Sequence, residues 1–243
     1  MIKVADLAFG RLSAPDLDKM EEFLIDFGMV RADRTKNTLY MRGTDGDHHH
    51  IHVTELGEPT FIGLAWWANS EEDLEVISKA PGASEIHEID EPGGGKRVTL
   101  TDPDGRQIEI IHGMETLEDL EVRDVAINTG NKKYNRTEIQ RLSMNPGHPS
   151  HVKRSAHAVV KTSDLKRFNE WYQSTLGLMT TDSVMSFDDE NEDMMTFNHI
   201  DAGENYVDHH VLLAAQDDHA EFNHLSFEAA DFDDIQTGHY WLK

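Results

Sequence analysis

The chain has 243 residues, no Cys, and 46 acidic against 22 basic side chains, for a formal net charge of -24. Without Cys there is no disulfide scaffold, thiolate metal centre or Cys nucleophile. No stretch approaches the roughly 20 apolar residues of a membrane span, the Met-Ile-Lys-Val-Ala-Asp start lacks the hydrophobic core of a secretion signal, and the acid excess would repel a phosphate backbone. A soluble cytoplasmic protein without nucleic-acid or membrane partners is expected, with a carboxylate-dense surface suited to concentrated salt.

In chain order, residues 7–13 have strand character and lead through Ala14-Pro-Asp-Leu into Met20, Phe23, Leu24 and Phe27 at helical spacing, ending at Gly28. Extended segments follow at 31–33, 38–42 and 49–54. The apolar run 61–68 opens a second unit, with a short helix from Ser70 and strands at 97–101 and 107–112 around the turn Asp102-Pro-Asp-Gly. Residues 118–150 lose apolar periodicity and carry Lys132, Lys133, Arg136, Pro146 and Pro149, which reads as a polar linker between an N-terminal pair of units (1–117) and a C-terminal domain (151–243). The pattern then repeats: strand 157–162, a helix opened by Asp164 with Phe168, Trp171 and Leu176 as its buried stripe before Gly177, and strands 179–185, 194–200 and 207–215. A fourth unit begins with 222–229 and reaches only its helix. Asp16 and Asp164 suit the helix N-cap, where a carboxylate accepts a backbone N–H. The fold class is α+β, built from repeated strand–helix–three-strand (βαβββ) modules, the fourth incomplete. Paired modules can curl into a half-open barrel whose concave face forms a cup for a metal or ligand. Missing strands would leave unpaired edges, so a homo-oligomer is expected.

Fifteen His residues carry the most chemical information. His157 and His224 both stand on the first strand of their module, seven residues before Asp164 and Asp231. If paired modules are related by a two-fold axis, the two imidazoles face each other across the C-terminal cup. The same offsets in the first half give Phe9 and Gly63, so that cup is expected to carry no metal. In Asp208-His-His, strand alternation turns one ring inward; His210 is favoured over His209, for proton transfer beside the metal or for direct ligation. The run His48, His49, His50 and His52 is expected on an exposed edge strand, and Glu109 is expected to be structural. Gly93-Gly-Gly lacks the Lys-Ser/Thr helix start of a phosphate cradle.

Arg154-Ser-Ala-His-Ala-Val-Val-Lys-Thr-Ser-Asp-Leu, Tyr206-Val-Asp-His-His, Asn223-His-Leu-Ser-Phe-Glu, Ala230-Asp-Phe-Asp-Asp and Thr101-Asp-Pro-Asp-Gly, in this order and spacing, resemble the vicinal oxygen chelate superfamily. Within it, the chain resembles the type I extradiol ring-cleavage dioxygenases such as catechol 2,3-dioxygenase. The resemblance implies the glyoxalase/bleomycin resistance/dihydroxybiphenyl dioxygenase fold and a non-haem Fe(II), occasionally Mn(II), held by two His and one carboxylate. It also implies a catechol-type substrate cleaved with O2, with His157 and His224 as ligands and His210 stabilising oxygen or shuttling a proton. The family's third ligand, a Glu, comes from the last strand of the fourth module, so a C-terminally truncated member is expected. Two rival readings keep the fold: a glyoxalase-like metal-dependent isomerase or lyase, and a non-enzymatic binder of aromatic ligands.

Overall fold

The computed structural model describes residues 1–122, 147–186 and 192–243. Of the expected linker, Lys132, Lys133, Arg136 and Pro146 lie outside the described residues. Its described N-terminal end lies against the first half: Leu120 N–H donates to Thr44 O at 2.8 Å, and the Asp119 carboxylate accepts from Gly46 N–H at 2.7 Å.

The first module runs β1 (Val4–Ala14), α1 (Leu17–Phe27), β2 (Val30–Arg34), β3 (Thr38–Arg42) and β4 (His52–Leu56). The second runs β5 (Thr60–Ala68), α2 (Glu71–Ile77), the two-residue β6 (His87–Glu88), β7 (Lys96–Thr101) and β8 (Gln107–His112). The third comprises β9 (Val152–Thr162), α3 (Leu165–Leu176), β10 (Met179–Met185), β11 (Asp193–His199) and β12 (Leu212–Gln216). β13 (Glu221–Ala229) and α4 (Phe232–Trp241) begin the fourth. Among the described residues no helix is long and apolar enough to cross a membrane.

Local chemistry sets the helix ends. The Asp16 carboxylate accepts from the N–H groups of Asp18 and Lys19, Asp164 from Arg167 and Asp231 from Asp234, each bond satisfying an otherwise orphaned donor of the first turn. Gly28 and Gly177 close α1 and α3 at φ 115° and 75°, backbone conformations that a Cβ disfavours.

An eight-stranded sheet takes the order β2-β3-β4-β1-β5-β8-β7-β6, and a five-stranded sheet the order β10-β11-β12-β9-β13. In each sheet the first strands of two modules, β1 with β5 and β9 with β13, are antiparallel neighbours. Each first strand also pairs in parallel with the last strand of its own module, as β1 does with β4 and β9 with β12. The first strands of paired modules therefore lie side by side, bonded by their backbones. The registers of β1 with β4 and of β9 with β12 give a positional equivalence between the two modules, since His52 pairs with Gly10 and Leu212 with Ala158. Phe9 corresponds to His157, His50 to His210 and Tyr40 to Phe197.

An apolar cluster joins the two sheets, with Leu7, Leu64 and Trp66 on one side and Val160, Phe168 and Tyr172 on the other. Full burial of a side chain such as Phe168 stabilises the fold by about 1.5–3 kcal/mol. The Thr101-Asp-Pro-Asp-Gly turn adds a polar staple. Asp102 accepts from the backbone N–H groups of Asp104 and Arg106, the Arg106 guanidinium and the Tyr172 hydroxyl, while Arg106 also donates to Lys161 O in β9.

Candidate metal centre

In the antiparallel pair β9/β13, His157 lies opposite Ser226 and His224 opposite Val159. Residues two apart on a strand share a face, so the two imidazoles are diagonal neighbours. Their Nε2 atoms stand 3.4 Å apart. Two nitrogens bound to one cation at about 2.1 Å would be separated by this distance at a roughly tetrahedral angle. The Nδ1 of His224 lies 2.7 Å from Asn223 Oδ1, a carbonyl oxygen that can only accept, so the proton sits on Nδ1 and the Nε2 lone pair is free to ligate. Burial, then the His210 and His224 rings, push the His157 imidazole down to about 4, which keeps it neutral and ligand-competent at neutral pH.

The third ring arrives differently from expected. The last strand of the third module begins at Leu212, not at 207, so His209 and His210 sit in the preceding loop and strand alternation does not orient them. The geometry separates them nonetheless. His210 packs against His157 with ring centroids 4.4 Å apart, whereas His209 is exposed and packs edge-on to Phe197 at 5.7 Å. The Nδ1 atoms of His209 and His210 are 3.2 Å apart, so one donates and the other accepts. His210 lies below the usual imidazole range through burial and the adjacent His209, and is neutral at pH 7.

The donors fit a cation, but only as a pair. Among the described residues no group of three or more His, Asp or Glu side chains is placed to hold an ion. The nearby carboxylates are engaged elsewhere: Asp208 accepts from Arg154 at 2.9 Å, and Glu228 from Arg154 at 2.7 Å and Lys153 at 2.9 Å. A cleft of about 740 Å³ opens at the sheet junction beside the stacked Phe61 and Phe222 rings, but no His lines it.

The first half contains the same scaffold with different occupants. His50 packs on Phe9 at 4.7 Å, as His210 packs on His157, and lies 5.1 Å from Tyr40, as His210 does from Phe197. His49 and His50 also repeat the 3.2 Å Nδ1 contact of His209 and His210. Position 63 cannot carry an imidazole, because a Cβ there would stand 1.8 Å from Gln107 O on parallel neighbour β8. The charge in this cup is an arginine. Arg11, nearly buried, donates to Glu109 at 2.6 Å and to Glu55 and Glu91 at 3.0 Å, and Arg97 also binds Glu109 and Glu91. Glu109, which the sequence suggested as structural, is thus saturated by two guanidinium groups. The exposed edge strand expected for the histidine run is not found: β4 lies between β3 and β1, and His49, His50 and His52 are all buried. Sequence reasoning missed Arg11 and Arg154, because their carboxylate partners are distant in the chain.

No family model matches the sequence. Metapyrocatechase 2 of Cupriavidus necator is 25% identical over 229 residues, covering 93% of this chain and 66% of that protein. Metapyrocatechase of Geobacillus stearothermophilus is 32% identical over 117 residues, 46% of this chain and 36% of that protein. The chain therefore spans less than two thirds of the length of either relative. Among solved structures, the 2,3-dioxygenase LapB of Pseudomonas sp. KL28 superposes with a TM-score of 0.76 at 15% identity, over all of this chain and 81% of that one. The Mn(II)-bound glyoxalase of Novosphingobium aromaticivorans gives 0.75 at 18% identity, over all of this chain and 71% of that one. The chain has the vicinal oxygen chelate fold shared by glyoxalases and extradiol dioxygenases. Within that fold its sequence is similar to metapyrocatechases, matching the resemblance to extradiol ring-cleavage dioxygenases.

Proposed function

We propose that the chain carries the metal site of an extradiol dioxygenase that opens a catecholic ring with O2 at a non-haem Fe(II), with Mn(II) as the alternative ion. The observation that carries this reading is the 3.4 Å approach of two imidazole nitrogens on sister strands, in a chain similar to metapyrocatechases. His157 and His224 would hold the ion, and a carboxylate from outside the described residues would complete the set of two His and one carboxylate. When bound, the metal supplies a path for electrons from the chelated diol to oxygen.

The chain's own groups supply orientation and proton management. Asn223 fixes the His224 tautomer that ligates. The His209–His210 contact engages Nδ1 of His210 and leaves its Nε2 for chemistry, and the ring's lowered affinity for protons keeps it neutral beside the ligands. A neutral imidazole there can take the proton of a diol hydroxyl or donate a hydrogen bond to developing negative charge, depending on the tautomer that His209 selects.

Loading the purified chain anaerobically with Fe(II), then adding catechol and air, tests the proposal. It requires a yellow ring-opened product that is lost in His157→Ala and His224→Ala; an iron-loaded wild-type chain that leaves catechol intact would refute it. The glyoxalase-like reading finds support in the Novosphingobium structure, but that likeness carries the fold alone. A glyoxalase-like chain would instead rearrange a hemithioacetal without consuming oxygen.

A further inference from the structure

We infer that Arg154 is a positioning residue, its guanidinium shared between Asp208 and Glu228 so that the loop presenting His210 is held in register with the strands carrying His157 and His224. This assignment rests on the reading of His157, His210 and His224 as one site. Arg154 stands on β9, three residues before His157. Its Nη2 donates to Asp208 at 2.9 Å, its Nε to Glu228 on β13 at 2.7 Å, and its Nη1 to Ser155 O at 3.1 Å and toward Asp6 on β1 at 3.6 Å. Asp208 precedes the two loop histidines, and Glu228 lies four residues beyond His224.

The loop needs such a tether. Tyr206 is fully exposed, and regular strand pairing resumes only at Leu212. Val211, after the two histidines, is anchored by backbone bonds to Asn198 and from Ala158 on β9, and His210 packs on His157 and Phe197; before them, the side-chain ties are the Arg154–Asp208 bond and the Thr181 hydroxyl donating to His209 O at 2.6 Å. A planar guanidinium can serve two carboxylates at fixed angles, which a Lys ammonium cannot do with the same geometry. Arg154 is about a quarter exposed, so its bonds are partly shielded from screening by salt. Lys153 shares Glu228 from the other side and keeps that carboxylate in place when Arg154 is changed.

The test is an NMR measurement of the ring-proton cross-relaxation between His157 and His210 in the metal-free chain, for the wild type, Arg154→Gln, Asp208→Asn and the double variant. Lys161→Gln, which removes two ion pairs elsewhere on the same strand, is the control. The inference requires the cross peak to fall at least about threefold in both single variants, to fall no further in the double variant, and to persist in the control. Thermal unfolding of each variant separates local release from global loss of fold. If Arg154→Gln fails to fold, Asp208→Asn, at a largely exposed carboxylate, decides the matter alone. A cross peak unchanged in a folded Arg154→Gln or Asp208→Asn chain overturns the inference. Because the readout needs neither metal nor substrate, absence of ring cleavage in the wild type would defeat the proposed activity without touching this result. Should activity be present, Arg154→Gln would lower kcat with iron content unchanged.

Discussion

Where the C-terminal half turns two imidazoles toward one point, the N-terminal half carries Phe9 and Gly63, and a single backbone contact explains the second difference: Gln107 O occupies the space of any side chain at 63. The positive charge in that half is Arg11, nearly buried and bonded to three carboxylates. Replacing Arg11 with Met would leave the buried Glu109 to Arg97 and Gln107, and Glu91 to Arg97 and the Tyr40 hydroxyl. A broken buried ion pair costs about 3–5 kcal/mol, so urea titration should show destabilisation on that scale. A loss under about 1 kcal/mol would mean that the carboxylates find water or other donors. At the other site, His210→Phe should retain iron stoichiometry and lose on the order of 100-fold or more in ring cleavage, the usual contribution of a general acid–base. Loss of iron in that variant would make His210 a ligand.

Among the elements, α1 and α3 were legible in the sequence because their signals are local: an Asp cap, an apolar stripe at helical spacing and a terminal Gly lie within a dozen residues. Asp164→Ala removes one such cap and should cost about 1 kcal/mol in a denaturant titration, with no change in metal binding. The histidine run of the first half was misread for the opposite reason. Whether 49–54 forms an edge or an interior strand depends on pairing with β1, forty residues earlier, and nothing in the run itself reports that pairing. Similarly, the start of β12 at Leu212 rather than 207 depends on its register with β9. Burial of these rings has a consequence for pH. Burial pushes His52 down to about 4 and His50 well below the usual imidazole range, and His50 Nε2 and His52 Nδ1 are buried without hydrogen-bond partners among the described residues. Their affinity for protons is lower folded than unfolded, so the stability they confer is complete above about 6.5 and declines as pH falls from there. For His52 that window runs down to about 4, with a slope of about 1.4 kcal/mol per pH unit, and His50 acts in the same direction. Urea midpoints measured between pH 7 and 4.5 should fall, and His52→Gln should flatten the curve; an identical pH dependence in the variant would contradict the assignment.

For the whole molecule, the net charge of -24 sets the dominant long-range force. Many of the cations are already engaged, as in the clusters of Arg34 with Asp18 and Glu21 and of Lys161 with Asp217 and Glu221, leaving a large excess of acidic side chains. Salt at 1 M shortens the screening length to about 3 Å and should relieve this repulsion. The thermal midpoint is expected to rise between dilute buffer and molar KCl; a flat response would show that the acidic surface does not oppose folding. The repeated module was visible in the sequence at this scale, because four strand-and-helix openings share one pattern. The shared core and the Asp102 staple joining the sheets were not, since they unite residues on opposite sides of the 118–150 segment.

The central claim is that His157 and His224 share one cation. Anaerobic titration of the metal-free chain with Fe(II), followed by calorimetry, tests it most directly. The account predicts one ion per chain, with affinity reduced at least about 100-fold in both His157→Ala and His224→Ala. Undiminished affinity in either variant would contradict it.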